Sequence, residues 1–184
     1  MLMARAVRLR EEIVIPVGVS VELEGKKVRV RGPKGVVERD FSYARGMVIR
    51  IEGGAVVLEA YFADRELKAQ FYSIVSHIKN MLDGVTKGYR YKLKIVYSHF
   101  PVTVRVEGDK VFIENFIGER APRVARIMGN VKVTVGKTDV TVEGCDLEAV
   151  AQTAANIEQA TKIREFDRRV FVDGIYIYER GYAD

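Results

Sequence analysis

The 184-residue sequence has a single cysteine, Cys145, and only two histidines, His77 and His99. One cysteine excludes an intramolecular disulfide and a cysteine-based metal cage, and it suits a reducing compartment. Cys145 stands just before a predicted helix, a position that can activate a thiol, but no spacing links it to either histidine. A small hydrolase using Cys145 is therefore an alternative that rests on one residue, and we expect no enzyme activity.

Long apolar runs, paired acids and linker-like segments are also missing. No apolar run approaches the about 20 residues of a membrane span, and residues 1–12 lack the layout of a signal peptide. We therefore expect a cytoplasmic protein with no membrane partner.

The carboxylates are scattered among cations, so neither metal nor cofactor is expected, and Asp173 is interpreted as setting a turn with Gly174. The scarcity of asparagine (four) and glutamine (three) suggests a thermophile.

The charge of the chain is basic but unevenly distributed. A net charge of +5 and a pI of about 9.3 favour a polyanionic partner. Residues 1–90 contain 16 Lys and Arg against 11 Asp and Glu, whereas residues 91–184 contain 14 of each class. A nucleic-acid site in the second half must therefore come from local clusters of cations.

Alternating apolar and polar residues in the first half predict two β-hairpins followed by a helix. One hairpin covers residues 19–31, and the other pairs residues 47–51 with residues 56–60. From Asp64 the period becomes that of an amphipathic helix, with Asp64 as its N-cap and Gly84 as its C-terminal glycine. Its apolar stripe consists of Leu67, Phe71, Ile74, Val75, Ile78, Met81 and Leu82.

The same order recurs 83 residues later. The turn at residues 24–27 falls on residues 107–110, Val48 falls on Val131, and Ile74 falls on Ile157. Asp146 is the predicted N-cap of the second helix. A constant offset over turns, strands and helix indicates two tandem copies of one hairpin/hairpin/helix unit. The predicted fold class is α+β, each unit being an antiparallel sheet with one helix packed on a face. The predicted domains are residues 1–84 and 85–184.

After the second helix the sequence departs from this repeat. A cluster of cations is interrupted only by two acids, and an apolar strand over residues 170–178 follows, broken at Asp173 and Gly174. The cations are Lys162, Arg164, Arg168 and Arg169. Because arginine forks bind phosphate at two points and stack on bases, we interpret this cluster as an RNA-binding segment anchored by the strand. The alternative is a solvated helix end, since cations also favour helix C-termini.

Further basic stretches are candidates for the same role. Arg90, Lys92 and Lys94 share one face of a strand predicted over residues 88–100, and Tyr89, Tyr91 and Leu93 share the other. A second patch, predicted in a loop, consists of Arg120, Arg123 and Arg126. Arg180 follows the last strand. Residues 26–34 contain five cations and no acid, and they either contact RNA or keep an edge strand soluble. Residues 32–35 are interpreted as a turn between strands.

Several motifs resemble one known family. The matching segments are residues 30–35, 87–93, 99–102, 157–161 and 169–177, of which the last is the most specific. There a glutamine at a helix end, Gln159, precedes a basic stretch and then Arg169, Phe171, Asp173, Gly174, Ile175 and Tyr176. Nearly the whole chain thereby resembles large-subunit ribosomal protein L-six in its archaeal and eukaryotic form, called L-nine in eukaryotes. One departure is Phe166, where family members usually carry a lysine, which makes this position a poor candidate for an RNA contact.

The resemblance implies a structural component of the large ribosomal subunit, present in one copy per ribosome, without catalysis or cofactor. It implies contact with large-subunit rRNA mainly through the C-terminal domain, near the sarcin–ricin loop where translation factors dock, beside neighbouring ribosomal proteins. DNA is not an expected partner. The predicted rRNA-binding residues are Lys162, Arg164, Arg168, Arg169, Arg180, Lys92, Lys94, Arg120 and Arg123. From the residues alone, a free protein–protein interaction module remains an alternative.

Overall fold

The computed structural model describes residues 6–184, and the chain divides into two compact units, one ending at Thr86 and the other spanning Lys87–Asp184. Thirteen strands and two α-helices make up these described residues. Backbone hydrogen bonds join the strands into small antiparallel sheets, none of which is shared between the units. Each unit therefore has its own sheets, helix and core.

The first unit contains six strands and one helix. The strands are β1 (Ala6–Val14), β2 (Ser20–Glu24), β3 (Lys27–Gly32), β4 (Gly35–Asp40), β5 (Met47–Glu52) and β6 (Ala55–Ala63), and the helix is α1 (Arg65–Thr86). They form two three-stranded sheets, ordered β1-β6-β5 and β2-β3-β4. Both predicted hairpins are present, whereas strands β1 and β4 were not predicted.

The core of the first unit lies between its helix and the apolar faces of its strands. Val28 and Val30 alternate with arginines along β3 and are fully buried, as are Phe71, Ile74 and Ile78 of α1. Burying these large apolar side chains is the main stabilising contribution to the unit. The predicted apolar stripe of the helix is therefore its core face, with only Leu67 partly exposed.

The start of α1 is as predicted, but its end is not. Asp64 Oδ1 accepts a hydrogen bond from the backbone N of Leu67 at 2.8 Å, the geometry of an N-cap. Gly84, predicted as the C-terminal glycine, is buried inside the helix, which continues to Thr86. Gly88, with φ of 73°, is the glycine that takes the left-handed conformation beyond this end. Gly84 lies on the buried face of the helix.

The second unit contains seven strands and one α-helix. The strands are β7 (Tyr89–Val96), β8 (Thr103–Glu107), β9 (Lys110–Glu114), β10 (Arg123–Arg126), β11 (Lys132–Val135), β12 (Asp139–Gly144) and β13 (Gly174–Tyr182), and the helix is α2 (Leu147–Ala160). Their sheets are ordered β10-β9-β8 and β11-β12-β7-β13. Asp146 caps α2 as predicted, its side chain accepting a hydrogen bond from Glu148 N. The core includes Leu93, Ile113, Phe116, Ile157 and Ile175.

The offset of 83 residues places β1 on β7, so β7 is the first strand of the second repeat. In the first unit the equivalent sheet is β1-β6-β5; in the second, β7-β12-β11 is extended by β13 on the free edge of β7. Among the described residues β13 has no counterpart in the first unit.

Two predicted elements differ in the structure. The last strand begins at Gly174, so residues 170–173 are not part of it, and Arg123–Arg126 is a strand, which leaves only Arg120 of that patch in a loop.

Candidate nucleic-acid interface

The predicted cation cluster lies in one segment, residues 162–173, which we call the basic arm. It leaves α2 at the C-cap, Thr161, and ends where β13 begins. Thr161 Oγ1 accepts a hydrogen bond from Ile175 N at 2.9 Å, and Glu158 Oε1 accepts one from Ile177 N at 3.1 Å. These bonds satisfy two backbone donors of β13 and bring together the two ends of the arm. The arm is thus a loop closed at its base by a helix end and a strand start.

Asp173 joins the arm to residues that follow β7. Its side chain is fully buried. Oδ1 accepts hydrogen bonds from Ser98 Oγ at 2.9 Å and faces His99 Nδ1 at 3.2 Å, and Oδ2 lies 3.3 and 3.4 Å from the backbone nitrogens of Ser98 and His99. Burial raises the pKa of Asp173, but hydrogen bonds from His99 and Ser98 outweigh it, so the pKa lies below its ordinary value. Asp173 therefore links two chain segments as well as preceding Gly174.

Three aromatic rings pack against one another beside this carboxylate. The rings of His99 and Phe171 are 4.3 Å apart between centroids and inclined by 22°, and Phe166 lies 4.7 Å from Phe171 at 38°. Offset stacking of aromatic rings contributes about 0.5–1.5 kcal/mol per pair beyond the area that it buries. The middle of the arm is therefore held in place by Asp173 and by this stack. Phe171 belongs to the stack, and not to a strand as predicted.

The cations of the arm project from this framework into solvent. Lys162, Arg164, Arg168 and Arg169 are all exposed. Arg168 Nε donates to the carbonyl of Ile163 at 3.3 Å, and Arg169, with a side chain 92% exposed, lies 3.4 Å from Asp167. Within residues 6–184 neither Lys162 nor Arg164 has a carboxylate partner. An ion pair as exposed as that of Arg169 is worth little, so these guanidinium and ammonium groups can bind an external anion.

Arg123 has a different place from the one predicted. Its Nη1 donates to the carbonyls of Ala160 at 2.9 Å and Lys162 at 3.1 Å, at the end of α2. Its other two nitrogens donate to both carboxylate oxygens of Glu119, at 2.7 and 2.9 Å. This pairing raises the pKa of Arg123 and lowers that of Glu119. The guanidinium also lies 4.5 Å from the Phe116 ring centroid. Arg123 thus anchors the first residue of the arm through contacts inside the unit.

Comparison with known proteins matches both halves of the chain to the same family model, described as Ribosomal protein L6, over residues 15–88 and 100–174. The chain belongs to the ribosomal protein L6 family. The two matches confirm the predicted tandem repeat and α+β fold, and they confirm the family that the sequence motifs resembled. Membership confirms the expectation of a ribosomal, structural and non-enzymatic protein of the cytoplasm.

Relatives of this chain in the L6 family match it over almost its entire length. A protein of Ignicoccus hospitalis is 61% identical over 97% of this chain and 98% of its own length. One from Sulfurisphaera tokodaii is 60% identical over 96% and 95%, and one from Aeropyrum pernix is 58% identical over 97% and 98%. Each of the three is named large ribosomal subunit protein uL6.

In this L6-family chain the basic face of β7 is largely compensated by acids. Arg90, Lys92 and Lys94 share the predicted face, opposite the buried Tyr89 and Leu93. Each cation meets a carboxylate from a neighbouring strand: Arg90–Glu143 at 2.5 Å, Lys92–Glu179 at 3.0 Å and Lys94–Asp139 at 3.3 Å. The pKa of Asp139 is lowered by a hydrogen bond from Thr138 and by Lys94. The sequence could not reveal these partners, since they come from β12 and β13.

Two other predicted contacts lie outside the arm. Arg180 is exposed on β13, opposite Tyr91 in the register, with its guanidinium 5.9 Å from the Tyr91 ring centroid. Arg120 is exposed in the loop before β10, and among the described residues it has no acidic partner. Both side chains are accessible, but of the two only Arg120 makes no ring contact, hydrogen bond or ion pair within its unit.

The basic stretch of the first unit is built into its own sheet. Strand β3 is the central strand of β2-β3-β4, not an edge strand as one interpretation required. Lys27 and Arg29 both bind Glu38 of β4, at 2.6 Å each. The prediction of a turn at residues 32–35 is confirmed, because Gly32 and Gly35 face each other in the register of β3 and β4. These cations therefore stabilise cross-strand pairs, which are worth roughly 0.2–1 kcal/mol each.

The described residues were compared with the expectation of no metal site. Within the part of the chain that the structure describes, no group of three or more His, Cys, Asp or Glu side chains is placed to hold a metal ion. Cys145 is half-buried just before the N-cap of α2. Neither described helix is both long enough and apolar enough to cross a membrane.

Proposed function

We propose that this chain is a structural component of the large ribosomal subunit that binds large-subunit rRNA, mainly through its second unit. The observation that carries the proposal is the basic arm, whose exposed cations stand on a loop held at both ends. A fixed framework lowers the entropic cost of ordering the arm on binding, and phosphate contacts set the register of a protein on RNA. The names of the relatives support the same assignment.

Within the arm, Arg164, Arg168 and Arg169 are the principal phosphate contacts, with Lys162 as a fourth. Arg120 and Arg180 are accessible contacts at the margin of the site. Lys92, Lys94 and Arg123 contribute less, because binding phosphate would require them to give up carboxylate partners within the unit. This ranking of the cations follows from the cost of breaking existing ion pairs. It leaves fewer principal contacts than the set of residues predicted from the sequence.

The test is binding of archaeal large-subunit rRNA by the triple variant Arg164→Ala, Arg168→Ala, Arg169→Ala. Each lost phosphate contact should reduce, by about one, the magnitude of the slope of the logarithm of the binding constant against the logarithm of the salt concentration. We expect affinity to fall by about 10- to 100-fold for the three together, with unchanged unfolding temperature. The matched control is Arg65→Ala, Lys68→Ala, Lys79→Ala, which removes three exposed cations of α1. Equal affinity of the two triple variants would refute the assignment of the arm.

The family resemblance supports a proposal for the position of the protein in the subunit. We propose that the second unit lies near the sarcin–ricin loop, where translation factors dock, with other ribosomal proteins beside it and one copy in each ribosome. Cross-linking of the assembled large subunit tests this placement. Cross-links from the arm to rRNA remote from that loop would reject it, and failure of the protein to sediment with the large subunit would reject the function itself.

A further inference from the structure

Phe166 differs from its neighbours in the arm because it is apolar and yet 47% exposed. One side of its ring contacts Phe171, which in turn stacks on His99. The hydrogen bonds from Ser98 and His99 to the buried Asp173 hold the far end of this stack. An exposed ring with a fixed backing is suited to stacking against another flat group.

A groove lies beside this ring. Its volume is about 450 Å³, within the roughly 300–1,000 Å³ typical of ligand sites, and it is lined in part by Ile117, Gln159, Lys162, Ile163, Arg164 and Phe166. Of the two glutamates that also line it among the described residues, Glu119 is already paired with Arg123. Glu165 offers acceptor oxygens to an exocyclic amino group such as those of adenine and cytosine. The groove therefore combines an aromatic wall with cations and a hydrogen-bond acceptor.

Two residues with positive φ, Asn115 and Ile117, lie in the turn that contributes Ile117 to the groove. Ile117 has φ of 51°, a conformation that costs a β-branched residue of the order of 1–3 kcal/mol. Asn115, with φ of 56°, donates a hydrogen bond from Nδ2 to the carbonyl of Pro101 at 3.0 Å. This hydrogen bond and the backbone bonds from Gly118 N to Asn115 O and from Glu119 N to Phe116 O hold the short turn at Phe116–Gly118, which carries the groove residue Ile117.

We propose that Phe166 is a stacking platform for an unpaired nucleobase of RNA, which enters the groove while Lys162 and Arg164 bind the adjoining phosphates. The inference rests on the proposed RNA-binding function and identifies the chemistry of one subsite. Charge complementarity favours RNA over an apolar segment of a protein, because Lys162 and Arg164, which line the groove, have no carboxylate partner within the described chain. RNA-binding proteins commonly stack unpaired bases on aromatic rings and pair this with a basic track for the backbone.

The test compares a hexaadenylate with an abasic ribose-phosphate hexamer of equal charge. Stacking on an aromatic side chain contributes enough that its loss weakens binding by about 5- to 150-fold per base, and we expect the lower end because one side of the ring is already covered. Wild type should bind the hexaadenylate about 5- to 10-fold more tightly than the abasic hexamer. Phe166→Leu should abolish this preference while leaving affinity for the abasic hexamer within about twofold. Phe166→Tyr, which retains a ring, should preserve it.

A second measurement separates stacking from general binding. A hexamer carrying 2-aminopurine should lose fluorescence on binding wild type and Phe166→Tyr but not on binding Phe166→Leu, with the same salt dependence for all three. Equal affinity of wild type for base-bearing and abasic hexamers, or binding of neither, would overturn the platform. The proposed function would then be judged separately by the dependence of rRNA binding on Arg164, Arg168 and Arg169.

Discussion

Removing the buried carboxylate of Asp173 should destabilise the second unit and release the basic arm. The carboxylate faces two side-chain groups at 2.9 and 3.2 Å and two backbone N–H groups at 3.3 and 3.4 Å. Hydrogen bonds to charged groups are worth about 1.5–3 kcal/mol each, and the two longer ones contribute less. Because Ser98 and His99 are partly exposed, water would replace part of what is lost. We therefore expect Asp173→Ala to cost about 2–3 kcal/mol.

Asp173→Asn should cost less, about 1 kcal/mol, because its carbonyl can still accept from the two backbone N–H groups. The amide would then face Ser98 Oγ and His99 Nδ1, both of which can act as acceptors. Denaturant unfolding should be followed together with hydrogen exchange of amides in Lys87–Asp184, because the chain divides into two compact units and a single unfolding signal would not assign the loss to the second. Asp109→Asn, an exposed turn residue of the same unit, is the matched control and should be neutral.

The pH dependence of the difference in unfolding free energy between wild type and Asp173→Asn gives the sharper check. The pKa of Asp173 is lowered in the folded protein, so ionisation contributes stability above the unfolded pKa of about 3.9. This contribution is lost as pH falls below that value, through the folded pKa. The difference in unfolding free energy between wild type and Asp173→Asn should therefore narrow from pH 7 to pH 3. A difference that stays constant, or Asp173→Ala within about 0.5 kcal/mol of wild type at pH 7, would refute the reasoning.

Three other substitutions test the local arguments by thermal or denaturant unfolding. Asp146→Ala removes the N-cap of α2 and should cost about 1 kcal/mol. Gly32→Ala places a Cβ 2.7 Å from the backbone oxygen of Val85 and should cost about 1–3 kcal/mol. Glu59→Gln replaces a buried carboxylate beside three arginines. The pKa of Glu59 is lowered, chiefly by the hydrogen bond from Arg8. The loss of stability should therefore be evident at pH 7 and should fade below the unfolded pKa of about 4.3. Neutral behaviour of Asp146→Ala or Gly32→Ala, or a pH-independent effect at Glu59, would contradict the corresponding contact.

Elements whose signal is local were predictable from the sequence. The two helices, their N-caps at Asp64 and Asp146, and the hairpins depend on periodicity and turn residues within a few positions. Strand β1 was missed because its evidence lies elsewhere in the chain: it pairs with β6, Ala6 facing Ala63. The boundary of α1 was misplaced at Gly84 since a buried glycine within a helix and a C-terminal glycine look alike in sequence. The glycine that follows the helix end is Gly88, with φ of 73°.

The candidate site divides in the same way. The clustering of Arg164, Arg168 and Arg169 is a property of neighbouring positions, so it is visible without a structure. The sequence does not show which other cations are available to bind an anion, because carboxylates from distant strands pair with some of them. Lys92, for example, meets Glu179, 87 residues away. Arg123, separated by 37 residues from Ala160, caps the carbonyls of that helix end. The sequence pattern alone could not separate this arginine from the accessible Arg120.

By itself, the sequence determined the duplication, the helix starts, the family and the position of the basic arm, because each depends on local periodicity or on motifs of neighbouring residues. Only the tertiary structure decided how the arm is held. Asp173 reaches Ser98 and His99 across 75 and 74 residues, and the same approach brings Phe171 onto His99 and leaves Phe166 exposed. Contacts over such separations depend on β13 pairing with β7. Asp173, predicted to set a turn, thereby anchors the aromatic cluster, and the ring of Phe166 is its exposed face.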